Sequence, residues 1–230
     1  MKRFYAQADA VAGCLLLDGR RVKTPGRSDL ILPTQALADA AAAEWNAQGE
    51  TIDPRTMKLT GLANAAIDGI APDPDAFAAG LALYGESDLL CYRAEAPPSL
   101  VARQAALWDP ILGWARNRFD VDFVVVSSIV HKQQPEETVR RLGQAVRARD
   151  PFALAGLSPL VTIGGSLVIA LALAEGAIGL DEAWAAAVAD ELWQAETWGE
   201  DAEAARALTL RRADFEAAHR FLMLLHPAGD

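Results

Sequence analysis

The chain has 230 residues, 52% of them hydrophobic and 23% charged, and its formal net charge is -10 at pH 7. This is enough apolar material for one large domain or two small ones, each with a buried core. The acidic excess repels phosphate backbones, so we do not expect nucleic acid as a partner.

No targeting or membrane-spanning segment is recognisable. The first residues lack the apolar middle region of a secretory signal, so we expect a cytoplasmic protein. The longest apolar run, residues 160–174, is interrupted by glycines and polar residues and falls short of the roughly 20 residues that cross a bilayer. We interpret this run as a buried helix and expect no membrane insertion.

The first 33 residues predict β structure. Short apolar stretches at residues 14–17 and 30–32 are separated by glycine-containing turns, among them Asp18-Gly19. Thr34 can then cap an alanine-rich helix that ends near Gly49. We therefore expect a hairpin-based sheet followed by a helix.

Helical patterns dominate the rest of the chain. One stretch of β-branched residues, 121–130, predicts a short strand. The sequence thus predicts an α+β fold, with a small N-terminal β-rich domain (residues 1–49) followed by a larger, mostly α-helical domain (residues 50–230). The boundary is placed within about 20 residues of Gly49.

The sequence lacks the residue sets that enzymes use. Glu216-x-x-His219 occurs once, whereas a di-iron bundle needs this pattern twice together with two further glutamates. Gly164-Gly165-Ser166 has neither the flanking glycine of a nucleophile elbow nor the lysine of a phosphate-binding loop, and we interpret it as small residues that permit close helix packing. We expect no catalysis, no cofactor and no metal.

Glu191 occupies an unusual position in the late helical region. If residues 180–198 form one helix, Trp184 and Trp198 belong to an apolar band with Glu191 in its middle. A carboxylate buried there needs a partner. One alternative is an internal pair with an arginine of the following helix; the other is a basic or polar group of another protein. The candidate arginines are Arg206, Arg211 and Arg212.

Trp193 lies on the opposite side of the same predicted helix, near acidic residues. A large aromatic side chain is unusual there unless something covers it. The cover is either a neighbouring helix or another protein.

Many short motifs along the chain occur in one consistent order and spacing. They are Phe4-Tyr5, Leu17-Asp18-Gly19-Arg20, Lys23-Thr24-Pro25, Leu32-Pro33-Thr34, Leu37-Ala38, Glu44-Trp45, Gln48, Ile52-x-Pro54, Met57-x-Leu59-Thr60, Asn64-x-x-Ile67-Asp68, Tyr84, Asp88-Leu89-Leu90-Cys91-Tyr92-Arg93, Gln104, Trp108-Asp109-Pro110, Glu191-Leu192-Trp193-Gln194 and Trp198-Gly199. With these motifs the chain resembles the chaperones that hold the α subunit of the F-type ATP synthase catalytic sector before the ring is built. Two departures are Lys58, where the family usually has proline, and Trp193, where tyrosine or phenylalanine is commoner.

The resemblance implies a chaperone without turnover that is monomeric when free. It implies that the chain binds the free α subunit of the F-type ATP synthase and shields the surface that later contacts the β subunit. Glu191 matches the family's functionally important glutamate. The implied partner-binding residues are Glu191, Trp193, Gln194, Trp198 and Gly199.

Two other functions remain open at the level of sequence. Glu191 could act as a general base of a small-molecule enzyme, which requires an enclosed apolar pocket around it. Alternatively, the chain could be a permanent subunit of a larger complex, which predicts co-purification with the mature synthase.

Overall fold

The structure, a computed structural model, describes residues 1–127, 132–199 and 201–226. Within these ranges a small N-terminal three-stranded sheet is followed by a larger helical region, as the sequence predicts. The strands are β1 (Ala8–Val11), β2 (Cys14–Leu17) and β3 (Arg20–Arg21). The helices are α1 (Gln35–Asn46), α2 (Lys58–Asn64), α3 (Pro74–Ala82), α4 (Pro98–Phe119), α5 (Glu136–Arg147), α6 (Pro151–Gly164), α7 (Leu167–Ala174), α8 (Leu180–Ala187), α9 (Ala189–Trp198) and α10 (Ala202–Leu225).

Two tight hairpins build the sheet. β1 pairs antiparallel with β2, and β2 with β3. Both connections, Ala12-Gly13 and Asp18-Gly19, have two residues with positive φ, which suits the right-handed twist of the strands they join. The predicted strand at residues 14–17 is confirmed, whereas residues 30–32 reach the sheet only through a single bridge between Cys14 and Ile31.

The sheet belongs to a first compact unit. This unit comprises Met1–Pro74, Arg149–Gly156 and the described chain from Ala217 onward. The free edge of β1 is closed by an amide side chain, because Asn46 accepts from the Ala8 N–H and donates to the Ala8 carbonyl, at 2.8 and 2.7 Å. Thr34 caps α1 as predicted, accepting from the Leu37 N–H. The domain boundary near Gly49 stays a prediction.

The second compact unit, Asp75–Ala148 with Leu157–Glu216, carries the larger helical core. Every residue from Leu167 to Leu173 in α7 is buried. The indole of Trp108, in the middle of α4, is also buried and donates to the carbonyl of Ala186 at 2.8 Å. None of the helices in the described ranges is both long enough and apolar enough to span a membrane.

The strand predicted over residues 121–130 is wrong for residues 121–127. This segment has no regular secondary structure, and among the described residues its one bridge is between Val126 and Tyr92. At Val124 a side chain takes the place of a partner strand. The Gln134 amide accepts from the Val124 N–H and donates to the Val124 carbonyl, each at 2.9 Å. Residues 128–130 lie outside the described residues.

Two predicted continuous helices are interrupted. The run at 160–174 is divided by Gly165, whose φ of 63° ends α6, and Ser166 then caps α7 by accepting from the Ile169 N–H. The Gly164-Gly165-Ser166 motif therefore contains a helix end and a helix cap. Gly164 also lies in close packing, because a Cβ added there would be 3.7 Å from side-chain atoms of Ala187 and Phe215. The helix predicted over 180–198 is divided at Val188, whose φ and ψ of -119° and 25° leave the helical region.

Candidate functional site

Helix α9 presents one polar and aromatic face to solvent. Glu191, Gln194 and Trp198 follow the spacing i, i+3 and i+7, which places them on the same side of a helix, and all three are exposed. Trp198 is the extreme case, with 72% of its surface accessible. We call these three residues the α9 surface.

The burial predicted for Glu191 is wrong, and of its two alternative partners the internal arginine is the one present in the structure. The Glu191 side chain is 46% exposed, and its Oε1 lies 3.1 Å from Nη1 of Arg211. Of the other candidates, Arg212 pairs instead with Asp181 and Glu216. The prediction of one apolar band is wrong because the break at Val188 separates α9 from α8. Residues on the two helices therefore do not share one face.

Trp193 is half-buried and held by α4. Its indole Nε1 donates to Oγ of Ser99 at 3.2 Å. Its ring meets that of Trp198 edge to face, with 5.5 Å between the centroids. Of the two alternatives for its cover, the structure shows the neighbouring helix α4 on part of Trp193, and Trp193 in turn packs against Trp198.

Two further residues of α4 fix α9, and sequence analysis did not identify them as positioning groups. Arg103 makes a two-pronged ion pair with Glu196. Gln104 is buried and satisfied at both ends: it accepts from the Ala94 N–H and donates to the Asp190 carboxylate, each at 2.8 Å. The sequence does contain a signal for Gln104, because an amide on the apolar face of a predicted helix is expected to be buried and then needs hydrogen-bond partners.

Replacing Gln104 by alanine is expected to lower the free energy of unfolding by about 2–3 kcal/mol. The change leaves the Ala94 N–H without its acceptor and removes the donor to Asp190 in a buried setting. Urea unfolding followed by circular dichroism measures the loss. The matched control is Gln194→Ala on the exposed face, for which we expect less than about 0.5 kcal/mol. Equal effects of the two changes would contradict a structural role for Gln104.

The chain leaves α9 through a glycine. Gly199 adopts φ 94° and ψ 157°, a conformation that is essentially limited to glycine. Apart from its chain neighbours, no atom of the described residues lies within 4 Å of an added Cβ. Its requirement is thus conformational and not steric. After Asp201 caps α10, none of the residues 202–210 is buried, and Leu210 is strongly exposed.

Three features of the described residues concern metal ligands and nucleophiles. No group of three or more His, Cys, Asp or Glu residues among them could hold a metal ion. Burial raises the pKa of the Cys91 thiol to about 12, so it is not a reactive thiolate at neutral pH. Ser166, the serine of the glycine motif, is committed to Asp88 and to the cap of α7.

A helical scaffold that holds an exposed tryptophan and a carboxylate on one fixed face is typical of a protein that binds another protein. The comparisons with known proteins agree with this class. A family model described as ATP12 chaperone protein matches residues 2–116. The chain belongs to the ATP12 chaperone family.

Two solved structures are similar over nearly the whole chain. Atp12 from Paracoccus denitrificans is 41% identical, with 98% of each chain covered and a TM-score of 0.92. The Atu1473 protein from Agrobacterium tumefaciens is 42% identical, with 97% of this chain and 86% of that chain covered and a TM-score of 0.93.

Proposed function

We propose that this chaperone binds the free α subunit of the F-type ATP synthase catalytic sector and shields its subunit interface until the ring is assembled. Membership of the ATP12 family supports the chaperone class. The observation that carries the site is Trp198, a large aromatic side chain that is 72% exposed on a helix with fixed surroundings.

The proposed contact is the α9 surface together with Trp193 and Gly199. Trp198 supplies apolar area, Glu191 and Gln194 supply polar contacts, and Gly199 lets the chain turn away from the surface. Because α4 already holds Trp193 and Glu196, these two side chains have little conformational freedom left to lose on binding.

The proposed mode of action is stoichiometric binding by a monomer in the cytoplasm, without catalysis or cofactor. A holding chaperone must cover an apolar interface and yet be displaced by the correct partner. A surface of one tryptophan bordered by polar groups suits a contact of moderate strength.

The geometry does not favour the enzyme alternative. A general base in an apolar pocket has to be enclosed, whereas the Glu191 side chain is almost half exposed and paired with Arg211. A carboxylate in this setting is suited to contacting a polar group of a partner.

Replacing Glu191 by glutamine is expected to weaken capture of the α subunit about three- to tenfold. The fold should remain intact, because an ion pair between two side chains that are 46% and 40% exposed adds at most about 1 kcal/mol to the free energy of unfolding. Binding titrations and thermal unfolding are to be measured on the same samples. The control is Glu182→Gln, which removes one charge from an exposed position on α8. Parallel losses of binding and stability would mean that Glu191 serves only its internal pair.

Co-expression tests the proposed function directly. The α subunit is produced alone, with this chain, or with the chain carrying Trp198→Ala, and the soluble fraction of α is measured. We expect solubility to rise only with the unaltered chain, and the β subunit produced in the same way should not respond. An α subunit that stays insoluble, or a chain found only in the mature synthase, would refute the proposal.

A further inference from the structure

A second surface with the character of a binding site lies on the first compact unit. It is a groove of about 650 Å³, a volume within the range of ligand-binding clefts. It combines aromatic and basic side chains in a chain whose net charge is -10. The lining residues that matter are Phe4, Tyr5, Trp45, Arg20, Arg21 and Lys23.

Phe4 is displayed on a fixed backbone. It is 64% exposed, although its ring packs edge to face against Tyr5 at 5.5 Å. On one side, the Arg3 N–H donates to the Glu50 carbonyl at 2.8 Å; on the other, the Ala6 N–H donates to the Asp18 carboxylate at 3.1 Å. An apolar ring that is exposed to solvent on a hydrogen-bonded backbone is typical of an interaction site.

The aromatic floor behind Phe4 is also ordered. The Tyr5 hydroxyl donates to the carbonyl of Trp45 at 2.7 Å, and the two rings lie 5.5 Å apart. The guanidinium of Arg3 lies over the Tyr5 ring at 4.6 Å. The apolar part of the groove is therefore formed before any partner arrives.

The opposite wall is basic. Lys23 Nζ lies 2.7 Å and Arg21 Nη1 3.8 Å from Asp29, the one carboxylate within 4 Å of either among the described residues. Arg20 forms no ion pair with any of the described residues. Asp18 also lines the groove, and its carboxylate accepts backbone N–H groups that lower its pKa and keep it negatively charged. Three basic side chains against this one carboxylate leave positive charge in excess along the lining.

From this combination we infer that the groove binds an acidic segment of a protein partner that carries an aromatic or large aliphatic side chain. Its carboxylates would meet Arg20, Arg21 and Lys23, and its apolar side chain would pack on Phe4. A protein segment fits better than nucleic acid, because the chain's overall negative charge repels a long polyanion. The inference does not rest on the proposed function, since none of the groove residues belongs to the α9 surface.

The test uses short labelled peptides and fluorescence anisotropy at low and physiological salt. The probe is an eight-residue peptide with Leu-Phe at its centre and glutamates on both sides. Comparison probes carry lysines in place of the glutamates, or Ser-Gly in place of Leu-Phe, and a further probe is an eight-nucleotide deoxythymidine strand. We expect measurable binding of the acidic apolar peptide alone, weakening as salt rises.

Two groove variants locate the binding. Phe4→Ala, and separately Arg20→Glu with Arg21→Glu, are each expected to weaken the probe at least tenfold. The matched control is Arg147→Glu with Arg206→Glu, which makes the same change in net charge at two other exposed positions and should stay within twofold. Circular dichroism verifies that each variant is folded. The inference is overturned by equal binding of the comparison peptides, by tighter binding of the oligonucleotide, or by equal losses in groove and control variants.

Discussion

Replacing Trp198 by alanine is expected to weaken capture of the isolated α subunit by about 30-fold or more, the largest effect we expect at the α9 surface. Tryptophans at the centre of interfaces commonly account for 2 kcal/mol or more of binding. Because Trp198 is 72% exposed in the free chain, its truncation should change the free energy of unfolding by no more than about 0.5 kcal/mol. Binding and folding are thus separable at this residue.

Titration calorimetry on wild type and variants measures the change. Trp198→Phe keeps an aromatic ring and should recover part of the affinity. Leu83→Ala is the matched control, because Leu83 is also a large apolar residue, 59% exposed and in the same compact unit, but belongs to a different segment. If the two truncations reduce capture equally, any loss of exposed apolar area weakens binding, and the α9 surface is not the specific contact.

Local sequence signals predicted the elements that local chemistry decides. Asp18-Gly19 forms the expected two-residue turn because both positions need positive φ. Thr34 caps α1 because its hydroxyl accepts a backbone N–H that has no partner inside the helix. The ion pair of Glu191 with Arg211 was one of two alternatives that the sequence left open, and it is present although the burial that suggested it is wrong.

The position of Glu191 could not be predicted in the same way. The helical wheel was drawn through residues 180–198, and the stretch around Val188 contains neither glycine nor proline to signal a break. The interruption depends on tertiary packing: Val188 and Trp184 are buried, and Trp184 meets Phe215 edge to face at 5.5 Å. Contacts of this kind join residues about 30 positions apart, beyond the reach of a periodicity argument.

The strand predicted over residues 121–130 is wrong at residues 121–127 for a related reason. β-branched residues are typical of strands, and this composition is the reason for the prediction. A strand also needs a partner along its length, and here Gln134 provides a side-chain substitute for one. Composition indicates a preference for strand structure, whereas the identity of the hydrogen-bond partner is a property of the whole fold.

Replacing Asp88 by alanine is expected to lower the free energy of unfolding by about 3–5 kcal/mol, the largest stability effect we expect in the chain. The Asp88 carboxylate is fully buried and accepts from Ser166 Oγ, Val168 N and Leu90 N at 2.7, 2.9 and 3.1 Å. Alanine leaves these three donors without an acceptor. Urea unfolding measures the loss, and Asp75→Ala, an exposed aspartate of the same unit, should stay within about 0.5 kcal/mol.

The same carboxylate makes a prediction about pH. Burial raises the pKa of Asp88 from 3.8 to about 6, against the opposing effect of its hydrogen bonds. A group with a higher pKa in the folded state binds its proton more tightly there, so its contribution to stability is complete below pH 4 and is lost as the pH rises to about 6. The loss amounts to roughly 3 kcal/mol. Asp88→Asn cannot titrate, so the stability of wild type relative to this variant should fall across that window. A difference that stays constant from pH 4 to pH 7 would show that the hydrogen bonds from Ser166 and the start of α7 keep Asp88 ionised throughout.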